Sequence, residues 1–266
     1  MLPQMKGLNM KNVIDVSDYQ GVIDWEKIKP QIDGAMIRCC WSYGEKNDKQ
    51  FERNISECNR LGIPCGVYLF SYALNDEEAL KEAEWCLELI KPYRLEMPIA
   101  WDFEYDSVNY CLRHGITVTK EMATKWARIF LQKIEQSGYW AALYANRDFL
   151  TKYFEPNIEK RFDLWYAGWV TPEEATYDSK LSYSCGMWQY GTKTYDGING
   201  NVDSNYCYKD YPNIFKQMGL NHLDKVIETR PAHVITAEKH GFDITKPTEA
   251  ATKEDIWKLL HVLKGE

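Results

Sequence analysis

Short apolar runs alternate with stretches of helical periodicity along the first 150 residues. "NVIDVS" (12–17), "GAMIRCC" (34–40), "PCGVYLFSYA" (64–73) and "MPIAWDFE" (97–104) read as strands. Between the first two, "DWEKIKPQI" reads as a short helix with Asp24 as its N-cap. Residues 47–61 place Phe51, Ile55, Cys58 and Leu61 on one helical face, and Gly62 is a fitting stop. Asp76 is expected to cap the next helix, with Glu77 and Glu78 favourable at its positive end and an apolar face of Ala79, Ala83, Cys86 or Leu87, and Ile90. Thr119 opens a helix carrying Met122, Trp126, Ile129, Phe130 and Ile134. Four more strand candidates follow, "AALYAN" (141–146), "DLWYAGW" (163–169), "CGMWQY" (185–190) and "NVDSNYCY" (201–208), with a short helix near 147–153.

Strict alternation of buried strands with helices argues for an α/β fold with a parallel sheet covered by helices. Eight strand candidates in one domain favour a modified (β/α)8 TIM-type barrel over an open sheet. Little room lies between residues 169, 185 and 201, so the second half is helix-poor and its last strands are expected to be joined by loops. The barrel is assigned to residues 11–220. Residues 221–266 are polar, broken by Pro231 and Pro247, and end in one helical pattern opened by Thr252 and Asp255 and carrying Ile256, Leu259, Leu260 and Leu263. They are expected to form a small C-terminal extension or module.

Composition narrows the function classes. The chain has 266 residues, 45% of them hydrophobic, which is ample for a large core. The net charge of −7 comes with no basic stripe, which argues against a nucleic-acid partner. No apolar run is long enough for membrane insertion, and the start "MLPQMKGLNMKNV" lacks the apolar core of a signal peptide. Synthesis in the cytoplasm is therefore expected, with a separate release step if the substrate lies outside. The eight cysteines form no CxxC pair and no Cys/His cluster of metal spacing, so no metal is expected. They read as small buried apolar residues in a reducing compartment. His114, His222, His233, His240 and His261 are scattered and pair with no Cys or Asp in nucleophile fashion.

In barrels of this kind chemistry sits where strands end, at their C-terminal face. Asp15 in "VIDVSDYQG", Asp102 and Glu104 in "WDFE", and Asp203 in "NVDSN" all stand at or near strand ends. Each taken singly reads equally well as a hydrogen-bonded loop acid. Together they suit glycoside cleavage, in which one carboxyl group needs a raised pKa to protonate the leaving oxygen. Period two on a strand puts the side chains of Asp102 and Glu104 on one face, roughly 6–7 Å apart. That separation lies between the retaining and the inverting values. A third route, attack by the substrate's own 2-acetamido group, stays open as well.

The ordered set "DVSDYQG", "GVYLFSYA", "WDFE", "LWYAGW", "MWQY" and "VDSNYC" resembles the family 25 glycoside hydrolases, the Chalaropsis-type lysozymes also found as phage endolysins. The resemblance covers roughly residues 11 to 215. It implies a modified (β/α)8 barrel, no cofactor, and hydrolysis of the β-1,4 bond between N-acetylmuramic acid and N-acetylglucosamine in the glycan strands of peptidoglycan. By position, Glu104 is similar to the family's general acid, and Asp102 to the partner that stabilises the acetamido-derived charge or tunes that acid. Asp15 and Asp203 match the other two acids. Tyr68, Trp188 and Gln189 match groove-lining positions. After the second strand the family's Lys-Ala-Thr/Ser-Glu-Gly-like run is replaced by "RCCWSYGEKND", where Arg38 stands for the lysine as a cation near Asp15 or Glu104.

Tyr144 and Tyr166 lie near strand ends and read as either groove or core residues. Trp101 alternates away from Asp102 and Glu104 and reads as sheet packing. Asp18 and Asp106 read as loop acids. With a wall substrate, residues 221–266 are expected to serve wall binding or self-association, and release is expected to be of the holin type. The competing functions are another hexosaminidase such as a chitinase, and a wall-binding protein whose site has decayed. Retention of all four acids speaks against decay.

Overall fold

The computed structural model describes residues 10–44, 46–169 and 184–223. Eight strands close into a barrel in chain order: β1 (Lys11–Val16), β2 (Gly34–Trp41), β3 (Cys65–Phe70), β4 (Ile99–Asp102), β5 (Ala141–Asn146), β6 (Asp163–Ala167), β7 (Met187–Lys193) and β8 (Val202–Cys207). Strands β1 to β7 pair in parallel, but β8 runs antiparallel to both of its neighbours, β7 and β1. Chain length dictates this reversal. A parallel return needs a crossover of about a dozen residues or more. Only the stretch between Lys193 and Val202 is available, so the chain turns back as a hairpin.

The helices are α1 (Trp25–Ile28), α2 (Phe51–Leu61), α3 (Asp76–Ile90), α4 (Tyr105–Arg113), α5 (Lys120–Gln136), α6 (Arg147–Lys152), α7 (Ile158–Arg161) and α8 (Tyr211–Met218). Local chemistry sets their ends. Asp24 and Thr119 accept the first free amides of α1 and α5, from Lys27 (3.3 Å) and Met122 (3.2 Å). Gly62 ends α2 in the left-handed region at φ 68°, which costs glycine nothing. At α3 the cap is Asn75, not the expected Asp76: Asn75 Oδ1 accepts from the Glu78 amide at 2.9 Å. Asp76 instead opens the helix beside Glu77 and Glu78, where negative charge meets the positive helix end.

One hydrophobic cluster fills the N-terminal end of the barrel. Val13, Met36, Met97, Ala100, Ala142, Trp165 and Met187 pack there, and Tyr211 and Phe215 of α8 close it from below. Seven of the eight free cysteines are buried and Cys185 is half-buried, which agrees with their reading as small core residues. Asn221 is buried on this base as well. Its Nδ2 donates to the carbonyls of Leu95 and Met97, both at 3.2 Å, and its Oδ1 accepts from the Trp140 amide at 2.8 Å. The chain thus stays on the barrel past residue 220. The rest of the expected extension, from residue 224 on and including the helix pattern opened by Thr252, lies outside the described residues.

Candidate active site

The opposite, C-terminal end of the barrel opens into a cavity of about 540 Å³. Asp15, Asp102, Glu104 and Asp203 all line it, together with Tyr68, Tyr144, Gln189 and Arg38. Each acid arrives by a different local route. Asp15 points inward from β1, and the antiparallel return of β8 sets Asp203 directly opposite it in register. Asp102 is the last residue of β4. The next residue, Phe103, turns into the core and stacks on Trp101, with ring centroids 5.2 Å apart and planes 6° from parallel. Glu104 is then the N-cap of α4, its backbone N–H donating to Ser107 Oγ at 3.1 Å. The i, i+2 pair is therefore realised at a strand-to-helix junction and not within a continuous strand. Glu104 and Asp102 are hydrogen-bonded to each other, while the other Asp102 oxygen, Oδ1, is buried without a partner among the described residues.

Asp15 is held by two amides. Asn205 Nδ2 donates to Oδ2 at 2.8 Å, and Gln189 Nε2 reaches both oxygens at 3.1 and 3.3 Å. The donors behind fix which way those amides face. Gln189 Oε1 accepts from the Tyr144 hydroxyl (3.0 Å) and from the indole of Trp169 (2.9 Å), and Asn205 Oδ1 accepts from Trp165 Nε1 (2.7 Å). Both NH2 groups are thereby turned onto the carboxylate.

All four acids are pushed toward the protonated form, and burial is the first cause for each. Asp15 rises to about 7, with the facing charge of Asp203 as the next cause and the two amide hydrogen bonds opposing. Asp102 is raised well above the usual carboxylate range by burial and then by the charge of Glu104. Glu104 is raised by burial, less the hydrogen bond it receives from Asp102. Asp102 and Glu104 share a hydrogen bond, so the titration of each depends on the other.

Arg38 departs from expectation. It lines the cavity, yet its guanidinium pairs with Asp18 (2.5 Å) and Asp48 (2.9 Å) instead of Asp15 or Glu104. Its faces lie against Tyr19 (5.6 Å) and Trp41 (4.7 Å). Only its field reaches the acids, lowering Asp102 as the last of several causes.

Two expected groove residues are absent from the lining. Trp188 and Tyr166 pair in register on the outer side of the barrel wall, because their neighbours Gln189 and Trp165 face in. Trp188 packs beside Tyr190 and Tyr206 and donates to the Gly168 carbonyl at 2.9 Å. The Tyr166 ring lies so close over Gly168 that a Cβ there would sit 2.5 Å from it. In their place the lining holds Trp165, whose ring meets Tyr68 and Tyr144 edge-on at 5.8 and 4.8 Å. Asn205, two residues after Asp203 on β8, completes the Asp15 cradle and could have been found from that spacing.

Residues 14–197 match the family described as Glycosyl hydrolases family 25. Among solved structures, the modular autolysin LytC from Streptococcus pneumoniae is 33% identical, over 75% of this chain and 47% of that one, with a TM-score of 0.63. The chain thus spans about half the length of that autolysin. A second LytC structure, in complex with a synthetic peptidoglycan ligand, is 32% identical over the same shares, with a TM-score of 0.62. A family 25 glycosyl hydrolase from Bacillus anthracis is 23% identical over 77% of this chain and 91% of that one, at a TM-score of 0.62. The catalytic domain of endolysin ply40 from bacteriophage P40 of Listeria monocytogenes is 23% identical over 78% and 97%, at 0.58. These last two share the fold. No curated protein sequence matches.

Proposed function

The chain belongs to glycosyl hydrolases family 25, and from that premise we propose that it is a muramidase. It cuts the β-1,4 bond between N-acetylmuramic acid and N-acetylglucosamine in peptidoglycan, with Glu104 as general acid and Asp102 assisting. One observation carries the assignment: a hydrogen-bonded carboxyl pair, raised by burial, stands in a cavity of sugar size and meets no cation directly. Glu104 is the less buried member, so it is the one that reaches a leaving oxygen. Asp102 is 5% exposed and hydrogen-bonded to Glu104, so it assists by tuning that acid. Asp15 and Asp203 keep the local potential negative, which favours an oxocarbenium-like transition state. Tyr68, Tyr144 and Gln189 give the sugar its walls. The lytic names of the similar autolysin and endolysin, and the peptidoglycan ligand held by the former, support this substrate over chitin. The site of action is then the cell wall. Among the described residues no helix is long and apolar enough to cross a membrane.

The test is mass spectrometry of fragments released from purified walls. The wild-type protein should leave new reducing ends on N-acetylmuramic acid. Glu104→Gln should release none while melting at the wild-type temperature. Wild-type-like lysis by that variant, or reducing ends on N-acetylglucosamine, would overturn the assignment.

A further inference from the structure

We propose that Glu82 is a positioning residue for the Asp102–Glu104 pair, a buried carboxylate that clamps the rim ends of β3 and β4 together. It lies in the middle of α3, behind the barrel wall, and is 0% exposed. Its partners are all donors. Ser71 Oγ (2.7 Å) and Trp101 Nε1 (3.3 Å) give to Oε2, and the Tyr72 amide (2.9 Å) gives to Oε1.

Those partners lead straight to the catalytic pair. Ser71 and Tyr72 follow the end of β3, and the Ser71 amide donates to the Asp102 carbonyl at 2.7 Å. Trp101 immediately precedes Asp102 and carries Phe103 stacked on its ring. So the three residues that lead into Glu104 are all referred to one carboxylate: Trp101 directly, Asp102 through Ser71, and Phe103 through Trp101. α3 thereby fixes the place from which both acids project. The inference rests on the assignment of Asp102 and Glu104 made above.

A carboxylate is required because its partners only give. The Tyr72 amide and the Trp101 indole have no lone pair to offer, whereas the Ser71 hydroxyl can turn. Glutamine at position 82 can serve Tyr72 with its oxygen, but its NH2 then faces the Trp101 N–H and that strand is released. With the amide reversed, Tyr72 is released instead. Glu82→Gln is therefore not a conservative change here, and it removes one strand's anchor without emptying the site. Trp101→Phe removes the same bond from the other side.

The test is a double-variant cycle of Glu82→Gln and Trp101→Phe, with kcat, KM and the pH profile read on whichever soluble glycan the wild type cleaves. Displacing the pair by a fraction of an ångström should lower kcat roughly tenfold to a hundredfold in each single variant. KM should stay close to wild type, and the double variant should be no worse than Glu82→Gln alone. The pH limbs should also draw together, because a looser Asp102–Glu104 bond splits their two protonation steps less. The charged and titratable groups facing that pair, Asp15, Asp203, Arg38, Tyr68 and Tyr144, are unchanged in both variants, and the limbs are read on Trp101→Phe, which keeps Glu82, itself raised to about 7. Losses that multiply in the double variant, or a changed KM with kcat and pH limbs intact, would overturn the proposal. If Glu82→Gln does not fold, Trp101→Phe alone decides: a folded variant with wild-type kcat and limbs defeats the clamp. Failure of the muramidase assignment would show instead in the products of the wild-type protein.

Discussion

Replacing Asp15 by asparagine should abolish a loss of stability that the wild-type protein suffers as pH rises. The carboxyl titrates near its ordinary 3.8 in the unfolded chain and at about 7 when folded. Between those values the folded state holds a proton that the unfolded state has released. Stability therefore falls as pH climbs through that window and is lowest once the folded group ionises. At about 1.4 kcal/mol per pKa unit, the interval comes to about 4 kcal/mol at full ionisation. Asparagine escapes this term but loses part of a hydrogen bond. With its oxygen in the Oδ2 position it keeps the Asn205 donor, while its NH2 meets Gln189, a pH-independent cost of about 1 kcal/mol.

The variant should thus be less stable than wild type by about 1 kcal/mol at pH 4 and more stable by about 3 kcal/mol at pH 8. Urea unfolding at unit steps of pH, extrapolated linearly to water, measures the difference directly. The contribution of Glu82, raised to about 7 by burial and not by Asp15, cancels between the two proteins. A difference that stays constant from pH 4 to pH 8 would mean that Asp15 titrates alike in both states, and the account of the acid cluster would fail.

Two further predictions concern its neighbours. Asp203→Asn removes a charge that pushes both Asp15 and Glu104 upward, so Glu104, the proposed general acid, should lose its proton earlier and the basic limb of kcat/KM should move to lower pH; an unmoved limb would show that the two carboxylates do not sense each other. Arg38→Met leaves Asp48, whose side chain is 0% exposed, without its cation, and should cost roughly 3–5 kcal/mol in urea unfolding. A loss below about 1 kcal/mol would mark the pair as dispensable, as surface pairs are.

Most of the barrel is legible from hydrophobic period and length alone, because strands and helices of these sizes leave few alternatives. Period two also turns Asp102 inward and Trp101 away from it. It offers no such guide at Tyr166 and Trp188, for a physical reason. In "DLWYAGW" and "CGMWQY" both faces are apolar or aromatic, so no alternation tells the inside from the outside. The antiparallel β8 was within reach: the stretch from Lys193 to Val202 is too short for any crossover, and the length argument settles what composition does not. Glu82 is harder to find. It sits among Glu77, Glu78, Glu84 and Glu88 and looks like one more solvated acid, yet it falls three residues after Ala79 and four before Cys86, on the buried stripe. Glu104 was assigned by resemblance and alternation together, although it lies past the end of its strand.

The placement of Arg38 leaves all four acids shifted toward the protonated form. Among the described residues that line the cavity it is the one cation, against four carboxylates. Were its guanidinium bonded to Asp15 or Glu104, the charged form of that acid would be favoured and its pKa would fall, leaving no proton for a leaving group. Asp18 and Asp48 prevent this by holding the guanidinium from both sides, with Tyr19 and Trp41 against its faces. Asp48 also takes the backbone amides of Asp18 and Gln50, both at 2.9 Å, so the whole rim segment after β1 is fixed to the same carboxylate. The positive charge is thus spent on building the rim, and the acids across the cavity are left to raise one another. The instability predicted for Asp15 and the upward shift of Asp102 and Glu104 then have one cause: burial of carboxylates with no direct cation partner.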